Sequence, residues 1–346
     1  MTSLFGDTLQ GGFMKQGYKR RLIMLDFLDK IKVIEEKNYA QLMTAEVEPY
    51  LEKRREDRYF SSADGKKLHC EVYEKLLSRG SILVLHGFTE SAEKFREMTY
   101  YFRKAGYSVY ALDLRGHGKS HHDSENPLRV DIESFDLYAE DINTLVETII
   151  SPASKGREIY IYSHSLGSTA ALLYMMKYPQ AVTKAVLSSP MICGNMGMPV
   201  AVAGTVAKLL CKAGGKTIPA PGRCVFDENQ TADNSDATSK ARFEYYHSKR
   251  KTESLYQTSG PSFGWVKASL VARDKIMSES NIALLRAKMI IFKPEADRQL
   301  LGEYTDKFAK MAKIKIKDVK NSRHEIFMSG DDTLKWYVEE ILEFLA

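Results

Sequence analysis

The sequence predicts an α/β protein in which helices flank a mainly parallel sheet and a helical cap is inserted between two of the strands. From about residue 81 onward, short apolar runs alternate with helical patterns. That alternation predicts right-handed crossovers between parallel strands. The segment 191–265 interrupts it with four of the ten prolines and no regular strand pattern. Because so long an interruption inside a compact domain is normally functional, we expect a cap over the site.

The predicted elements follow one another in a regular order. A hairpin comes first, because Asp64-Gly65 separates two strand patterns at 58–61 and 67–73. Further strands are predicted at 81–85, 107–112, 158–162, 184–187, 288–292 and 314–319, and helices over 93–104, 132–150, 166–178 and 332–344. The resulting organisation is a helical N-terminal extension (1–55), a core (56–190 and 266–346) and the cap (191–265).

Composition excludes several classes of protein. The 346 residues are 44% hydrophobic and 27% charged, which is ordinary for a globular chain and excludes a disordered or fibrous one. The net charge of +5 is small for this length. It does not favour binding to nucleic acid, but it permits attraction to an anionic membrane surface. Four cysteines without a C-x-x-C pair are expected to be reduced thiols (Cys70, Cys193, Cys211 and Cys224).

The N-terminal region begins like a targeting signal but does not continue as one. Basic residues at 19–21 precede an apolar run at 22–25, but Asp26, Asp29 and Lys30 interrupt the run and no small-residue cleavage site follows. We therefore predict an amphipathic helix over 20–36, which packs on its own domain or touches a membrane surface. The expected location is the cytoplasm, with the possibility of a peripheral position at a membrane.

A serine stands where a predicted strand ends and a helix begins. Ser165 follows the strand pattern and Leu166 opens the helix, which is the arrangement of a nucleophile elbow. The residues two before and two after such a serine must be small, because the turn brings them close together. Gly167 meets this need, whereas Ser163 stands where the G-x-S-x-G pattern has glycine. The helix N-terminus also offers N–H groups to a developing oxyanion.

A second oxyanion donor is expected after the first buried strand. His86-Gly87-Phe88 occupies that position, so the N–H groups of Phe88 and Leu166 are the candidate pair of donors. His86 itself is expected to brace the loop.

The base and the acid of a triad must lie downstream of the elbow. His247 is in a basic helical pattern of the cap, where we expect a solvated surface position, whereas His324 lies between the last strand and the last helix. His324 is therefore the candidate base. In the loop after the preceding strand, Asp297 is the preferred acid and Glu295 the alternative.

These motifs resemble the α/β-hydrolase fold, and within it the monoacylglycerol lipase and lysophospholipase branch. The matching segments lie at 85–88, 111–120, 163–167, 296–298 and 322–325, and the similarity covers about 57–346. The resemblance implies that Ser165 is the nucleophile, Asp297 the acid and His324 the base. It also implies that Phe88 and Leu166 donate to the oxyanion. It implies structural roles for Asp113 and His117 in a tight glycine-rich loop.

The function expected from the site and the resemblance is hydrolysis of lipid monoesters, either lysophospholipids or monoacylglycerols, through an acyl-enzyme. The Met-rich cap would supply an apolar trough for an acyl chain. Nine Lys and Arg against six Asp and Glu over 191–260 suit a phosphate head group or a transient contact with a membrane surface, or simply form a solvated face. No metal or organic cofactor is required, since His117, His121 and His122 lack a recognised ligand spacing.

Three alternatives remain open. One is a short-chain carboxylesterase with the same triad. Another is an aminopeptidase, in which cap carboxylates (Glu228, Asp233 or Asp236) would hold the substrate ammonium. The third is a non-catalytic ligand-binding protein, against which the ordered Ser, Asp and His argue.

Overall fold

The computed structural model describes residues 32–124, 126, 128–221 and 226–346. The strands of its main sheet are β1 (Glu56–Ser61), β2 (Lys67–Tyr73), β3 (Ser81–Leu85), β4 (Ser108–Asp113), β5 (Ile159–His164), β6 (Lys184–Ser188), β7 (Lys288–Pro294) and β8 (Lys315–Val319). Among the described residues these eight strands lie in the order β1-β2-β4-β3-β5-β6-β7-β8. The pairs β1/β2 and β2/β4 are antiparallel and all the others are parallel. The predicted mainly parallel sheet is confirmed.

The longer helices are α1 (Arg96–Lys104), α2 (Asp136–Leu145), α3 (Leu166–Lys177), α4 (Val200–Lys212), α5 (Lys240–Thr252), α6 (Phe263–Ile276), α7 (Gly302–Ala312) and α8 (Asp331–Leu345). The helix predicted over 132–150 begins four residues later than expected. The Ser134 hydroxyl accepts the N–H of Asp136, so a turn precedes the helix. After Leu145 the chain continues as a π-helical turn and a short helix to Ser154.

The prediction of a helix over 20–36 is wrong at its C-terminal end, and its part at 20–31 lies outside the described residues. Residues 32–35 have no regular structure, and Glu36–Asn38 form a 3₁₀ turn. The backbone groups here are used in tertiary contacts instead of helix bonds. Ile34 donates its N–H to the Tyr101 hydroxyl at 2.9 Å, and the Glu36 N–H donates to the carboxylate of Asp331.

Both faces of the sheet are covered, as the uninterrupted burial of β3, β4 and β5 indicates. One apolar cluster packs α2, α3 and α6 against the sheet, and the other packs α1 and α8 against the opposite face. The second cluster also contains buried residues from the segment before β1 (Ile34, Tyr39, Met43, Val47 and Leu51). This segment lies outside the resemblance, yet its described part belongs to the core.

The segment between β6 and β7 contains α4, α5 and α6. The cap limits at 190/191 and 265/266 stay predictions, and α6 spans the second of them. None of the described helices is long and apolar enough to cross a membrane.

Candidate active site

Ser165 lies in a sharp turn between β5 and α3, with φ of 49° and ψ of −115°. A non-glycine residue with positive φ is strained, and the surrounding structure must hold it there. The turn brings the start of α3 against β3. A Cβ built on Gly167 would lie 2.3 Å from the Leu85 carbonyl oxygen and 2.7 Å from that of His86. Because both neighbours are backbone atoms, the elbow admits only glycine two residues after Ser165.

Ser163, two residues before Ser165, fits the elbow as serine. Its side chain is fully buried, and its hydroxyl donates to the Val186 carbonyl at 3.0 Å and lies 3.0 Å from the Ser168 hydroxyl. The buried hydroxyl of Ser163 is therefore hydrogen-bonded to the neighbouring strand β6. Serine in place of glycine leaves no unpaired polar group at this position.

The structure brings Ser165, His324 and Asp297 into one chain of hydrogen bonds. The Ser165 hydroxyl lies 3.0 Å from Nε2 of His324, and Nδ1 of His324 lies 2.8 Å from Oδ2 of Asp297. The other carboxylate oxygen of Asp297 accepts the N–H groups of Gln299 and Leu300 at 2.8 and 3.1 Å. These bonds fix the carboxylate on the loop after β7, so that it faces the imidazole on the loop after β8.

Charge stabilises the imidazolium form of His324. Burial acts to lower the pKa of His324, but the hydrogen bond and charge of Asp297 outweigh it and raise that pKa above 6.5. Asp236 and Glu325 add to the rise. Burial acts to raise the pKa of Asp297, and the hydrogen bond and charge of His324 lower it below its ordinary value.

The two side chains weighed as alternatives lie elsewhere. Glu295 is exposed, and its carboxylate accepts the N–H of Asn321 at 2.7 Å rather than bonding to His324. The prediction of a surface position for His247 is wrong, because its ring is buried and stacks on Phe243 with 5.1 Å between centroids. Its Nε2 lies 3.0 Å from the Glu228 carbonyl oxygen.

The two candidate oxyanion donors belong to the loop after β3 and to the first residue of α3. Within the part of the chain that the structure describes, neither the Phe88 N–H nor the Leu166 N–H has a hydrogen-bond acceptor. The first N–H groups of a helix have no partner inside the helix, which leaves that of Leu166 available. His86 braces the loop as expected, since its ring bonds the Gly87 carbonyl at 2.7 Å and accepts the Leu114 N–H at 2.9 Å.

The glycine-rich loop after β4 is held by Asp113. Its carboxylate accepts the N–H groups of Ala92 and Lys119 at 2.8 and 3.0 Å and lies 2.7 Å from Nδ1 of His69. Gly118 has a φ of 52°, and a Cβ there would lie 2.4 Å from Cγ of Asp113. His117 is fully buried beside the ring of Phe88. These contacts support the loop beneath the site.

A buried ion network beside Ser165, His324 and Asp297 is formed by Glu90, Lys94 and Glu325, which none of the sequence motifs marks. We call these three side chains the strut. Lys94 bonds both carboxylates, at 2.8 Å to Glu90 and 2.5 Å to Glu325. The i,i+4 spacing of Glu90 and Lys94 is a visible signal, but only the fold brings Glu325 to them.

The cap carboxylates and the histidine-rich loop bond to neighbouring side chains or lie at the surface. Asp236 accepts from the Gln299 side chain at 2.7 Å, whereas Glu228 and Asp233 are exposed. His121 bonds Asp123 at 3.1 Å. Over the described ranges no three His, Cys, Asp or Glu side chains are arranged to hold a metal ion.

A serine held at a strand-to-helix elbow on the carboxyl edge of a mainly parallel sheet places the chain in the α/β-hydrolase class. The family described as serine aminopeptidase, S33 matches residues 77–331, and the chain belongs to this family of hydrolases.

Relatives and solved structures agree with this assignment. A probable lysophospholipase L2 of Haemophilus influenzae is 22% identical over 319 residues, covering 90% of this chain and 99% of the relative. A monoacylglycerol lipase of Mycolicibacterium smegmatis is 32% identical over 160 residues, covering 46% and 54%. A solved monoglyceride lipase of Saccharomyces cerevisiae has a TM-score of 0.66 at 18% identity, over 84% of this chain and 94% of that one. A carboxyl esterase of Bacillus coagulans has a TM-score of 0.67 at 21% identity, over 84% and 97%. The two solved structures share the fold.

Proposed function

We propose that the protein is a serine ester hydrolase that acts on lipid monoesters, either lysophospholipids or monoacylglycerols. One observation carries the proposal: the hydrogen-bond chain from Asp297 through His324 to Ser165, with Ser165 held on a strained elbow. In this proposal Ser165 is the nucleophile, His324 the base and Asp297 the acid that orients it.

The proposed reaction has two halves. Ser165 Oγ attacks the ester carbonyl while Nε2 of His324 takes its proton, and the N–H groups of Phe88 and Leu166 stabilise the oxyanion. The tetrahedral intermediate expels the alcohol, to which His324 returns the proton. Water then attacks the acyl-enzyme with His324 again as base, releasing the fatty acid and Ser165. Each step is a proton or acyl transfer, so the mechanism calls on no metal or organic cofactor.

The contacts around Ser165 support an acyl substrate. The N–H of Met191 donates to the Ser165 carbonyl at 3.1 Å, so the apolar start of the cap segment adjoins the elbow. Phe88 packs against Trp265 with 4.5 Å between ring centroids, which extends an apolar surface from the oxyanion loop to α6. The relatives named lysophospholipase and monoacylglycerol lipase point to the same substrate class.

Transient contact with a membrane surface through the cap is part of this proposal. Helix α4 leaves large apolar side chains exposed along one side, with Leu209 63% and Val202 50% exposed. The stretch 191–226 contains no Asp or Glu, while Lys208 and Lys212 lie on α4 itself. Exposed apolar residues flanked by lysines fit an anionic lipid surface.

We also propose a cytoplasmic location, which agrees with free thiols at Cys70, Cys193 and Cys211.

The test compares the release of fatty acid from lysophosphatidylcholine and from a monoacylglycerol with the hydrolysis of a short p-nitrophenyl ester and an aminoacyl amide. Release from both long-chain lipids, or from one of them, supports the proposal and their ratio identifies the head group. Ser165→Ala should lower each rate by on the order of 10⁴-fold or more. Activity of this variant equal to that of the wild type would exclude Ser165 as the nucleophile.

The family description makes an aminopeptidase the second candidate. Such an enzyme needs a carboxylate aimed at the substrate ammonium. Asp236 is engaged by Gln299 and lies 3.6 Å from the Arg298 guanidinium, and Glu228 and Asp233 are exposed. Turnover of the amide alone would favour the aminopeptidase, and turnover of the short ester alone a short-chain carboxylesterase. Failure of a fluorophosphonate to label Ser165 would favour a non-catalytic fold.

A further inference from the structure

The strut crosses the buried space between two loops of the candidate active site. Glu90 lies just beyond the oxyanion loop, Lys94 precedes α1, and Glu325 directly follows His324. Their side chains are only 5%, 7% and 16% exposed. The Lys94 ammonium lies 2.8 Å from one oxygen of Glu90 and 2.5 Å from one oxygen of Glu325. The Lys94 ammonium therefore joins the two carboxylates, and with them the two loops, through the protein interior.

At one end of the strut, Glu90 holds the oxyanion loop through its backbone. Its second carboxylate oxygen accepts the N–H of Gly87 at 2.6 Å, immediately before Phe88. A Cβ at Gly87 would lie 2.7 Å from that oxygen and 2.8 Å from the ring of His164. The carboxylate thus packs directly on the peptide that leads into the N–H of Phe88, and its position sets the direction of this N–H.

At the other end, Glu325 belongs to the loop that carries His324. The Glu325 N–H donates to the Asp236 carbonyl at 3.0 Å, which fixes the backbone next to the imidazole. His164 fills the space between the two ends, with its Nε2 3.7 Å from Glu90 and its ring centroid 4.8 Å from that of His324. A displacement of either loop would therefore move the oxyanion donor relative to the base.

The charges of the strut are held in place by one another. Burial acts to raise the pKa of Glu90, but the Lys94 ammonium outweighs it and holds that pKa at about 2. Burial raises the pKa of Glu325, and the charges of Glu90 and Asp236 add to the rise, although the Lys94 ammonium acts to lower it. Burial lowers the pKa of His164 to about 3, so that its ring is neutral. Apolar side chains of similar volume usually stabilise a protein as well as buried ion pairs do, and stability alone does not account for this arrangement.

We propose that Lys94 is a positioning residue which, through Glu90 and Glu325, fixes the Phe88 N–H and His324 in the relative placement that the transition state requires. The proposal rests on the proposed function of the Ser165 site. It predicts an effect on turnover rather than on substrate binding, since the three side chains are largely buried and bond one another and the Gly87 backbone.

The test replaces Lys94 with methionine, which has a similar length and no charge. With a neutral short-chain ester, kcat should fall by about 10²-fold, because small displacements of reacting groups have effects of this size. KM should stay within about threefold, because ground-state binding is untouched. The matched control is Lys310→Met on α7, where the lysine is exposed. It should leave both constants unchanged.

A second variant keeps the proposal testable if Lys94→Met does not fold. Lys94→Met combined with Glu90→Gln removes one cation and one carboxylate together, and the carboxamide oxygen can still accept the Gly87 N–H. Its kcat should fall by about 10²-fold relative to the wild type, because the cation that joins the two loops is absent here too. If either variant folds and has the kcat of the wild type, the proposal is overturned.

The failure of the proposed function has a different signature. In that case the wild-type protein itself would show neither ester hydrolysis nor labelling of Ser165 by a fluorophosphonate. If the wild type is labelled and turns over while Lys94→Met matches it, only the role of the strut is wrong.

Discussion

Gly167 is the residue at which the elbow tolerates no side chain. Replacing it with alanine would set a Cβ 2.3 Å from the Leu85 carbonyl oxygen. Since two backbone segments would have to separate, we expect Gly167→Ala to lower the free energy of unfolding by about 1–3 kcal/mol or more. Hydrolysis should fall with it, because the same shift moves Ser165. Urea unfolding and ester turnover measure the two effects.

The matched control is Gly194→Ala. No atom lies within 4 Å of a Cβ built there, and the residue does not have a positive φ. Its unfolding free energy should change by no more than about 1 kcal/mol. If Gly167→Ala were as stable and active as this control, the close packing of the elbow against β3 would be refuted.

The pH dependence of hydrolysis depends on the groups around His324. In the proposed mechanism His324 acts as a base, which requires its neutral form. The Asp297 carboxylate, together with Asp236 and Glu325, raises the pKa of His324 above 6.5 in spite of burial. The rate, as kcat/KM, should therefore rise with pH to a plateau, with a midpoint above 6.5. Asp297→Asn removes the main charge, so the midpoint should move to lower pH while the plateau falls by about 10⁴-fold.

Glu295→Gln is the control for this prediction. The residue is exposed and bonds the Asn321 N–H, a contact that glutamine can keep. Both the midpoint and the plateau should match the wild type. A profile in which Glu295→Gln shifts the midpoint and Asp297→Asn does not would transfer the role of the acid to Glu295.

The sequence predicts those site residues whose signal is local. Ser165 is marked by a strand, a turn and a helix in succession, and His324 by its place between the last strand and the last helix. Glu90 and Lys94 show only an i,i+4 spacing, and no local pattern connects them with Glu325, because Glu325 meets Lys94 only after more than 200 residues of chain have folded between them. Burial of His247 also depends on tertiary packing against Phe243, which a basic helical pattern does not reveal.

Helices α3 and α4 show that an apolar helical pattern in the sequence does not by itself predict burial of the helix. Eleven of the twelve residues of α3 are buried, as expected of an apolar helix between sheet and cap. In α4, which is also largely apolar, only Ala203 and Ala207 are buried. The sequence does not distinguish these cases, because burial depends on which neighbours the fold supplies. The exposed apolar side of α4 is therefore the part of the cap that fits a contact with a lipid surface.

For α4 we predict binding to vesicles that contain anionic lipid. Leu209→Glu places a negative charge on its most exposed apolar position and should weaken binding by about tenfold or more, since a charge at a lipid interface is costly. Hydrolysis of a water-soluble short ester should not change. Vesicle cosedimentation and ester turnover are the two measurements.

Leu284→Glu is the control for the vesicle experiment. Leu284 is 43% exposed but lies after α6, outside the cap segment. This variant should bind vesicles like the wild type. Equal losses in both variants would indicate a general charge effect, and no loss in Leu209→Glu would remove α4 from the membrane proposal.

In the molecule as a whole, Arg242 of α5 joins three separate parts of the chain. Its guanidinium is fully buried and bonds the Glu97 carboxylate on α1 at 3.1 Å, the Ile34 carbonyl at 2.6 Å and Asp331 at the start of α8 at 3.1 Å. The segment before β1, the core helices and this part of the cap therefore share one buried cation. These three parts should therefore fold and unfold in one cooperative transition.

Arg242→Met tests this connection. Methionine keeps much of the volume but leaves the Glu97 carboxylate buried without its cation, and removal of one partner of such a pair costs about 3–5 kcal/mol. Lys240→Met on the same helix is the control. Lys240 is exposed and lies 3.6 Å from Glu244, in an i,i+4 pair that should contribute no more than about 0.5 kcal/mol.

Urea unfolding followed by circular dichroism and by ester turnover should give coincident, lowered midpoints for Arg242→Met and wild-type midpoints for Lys240→Met. If turnover were lost at a lower urea concentration than the helical signal in the wild type, α5 and the site would unfold apart from the core. Arg242 would then be a local contact of the cap rather than the point at which the three parts are held together.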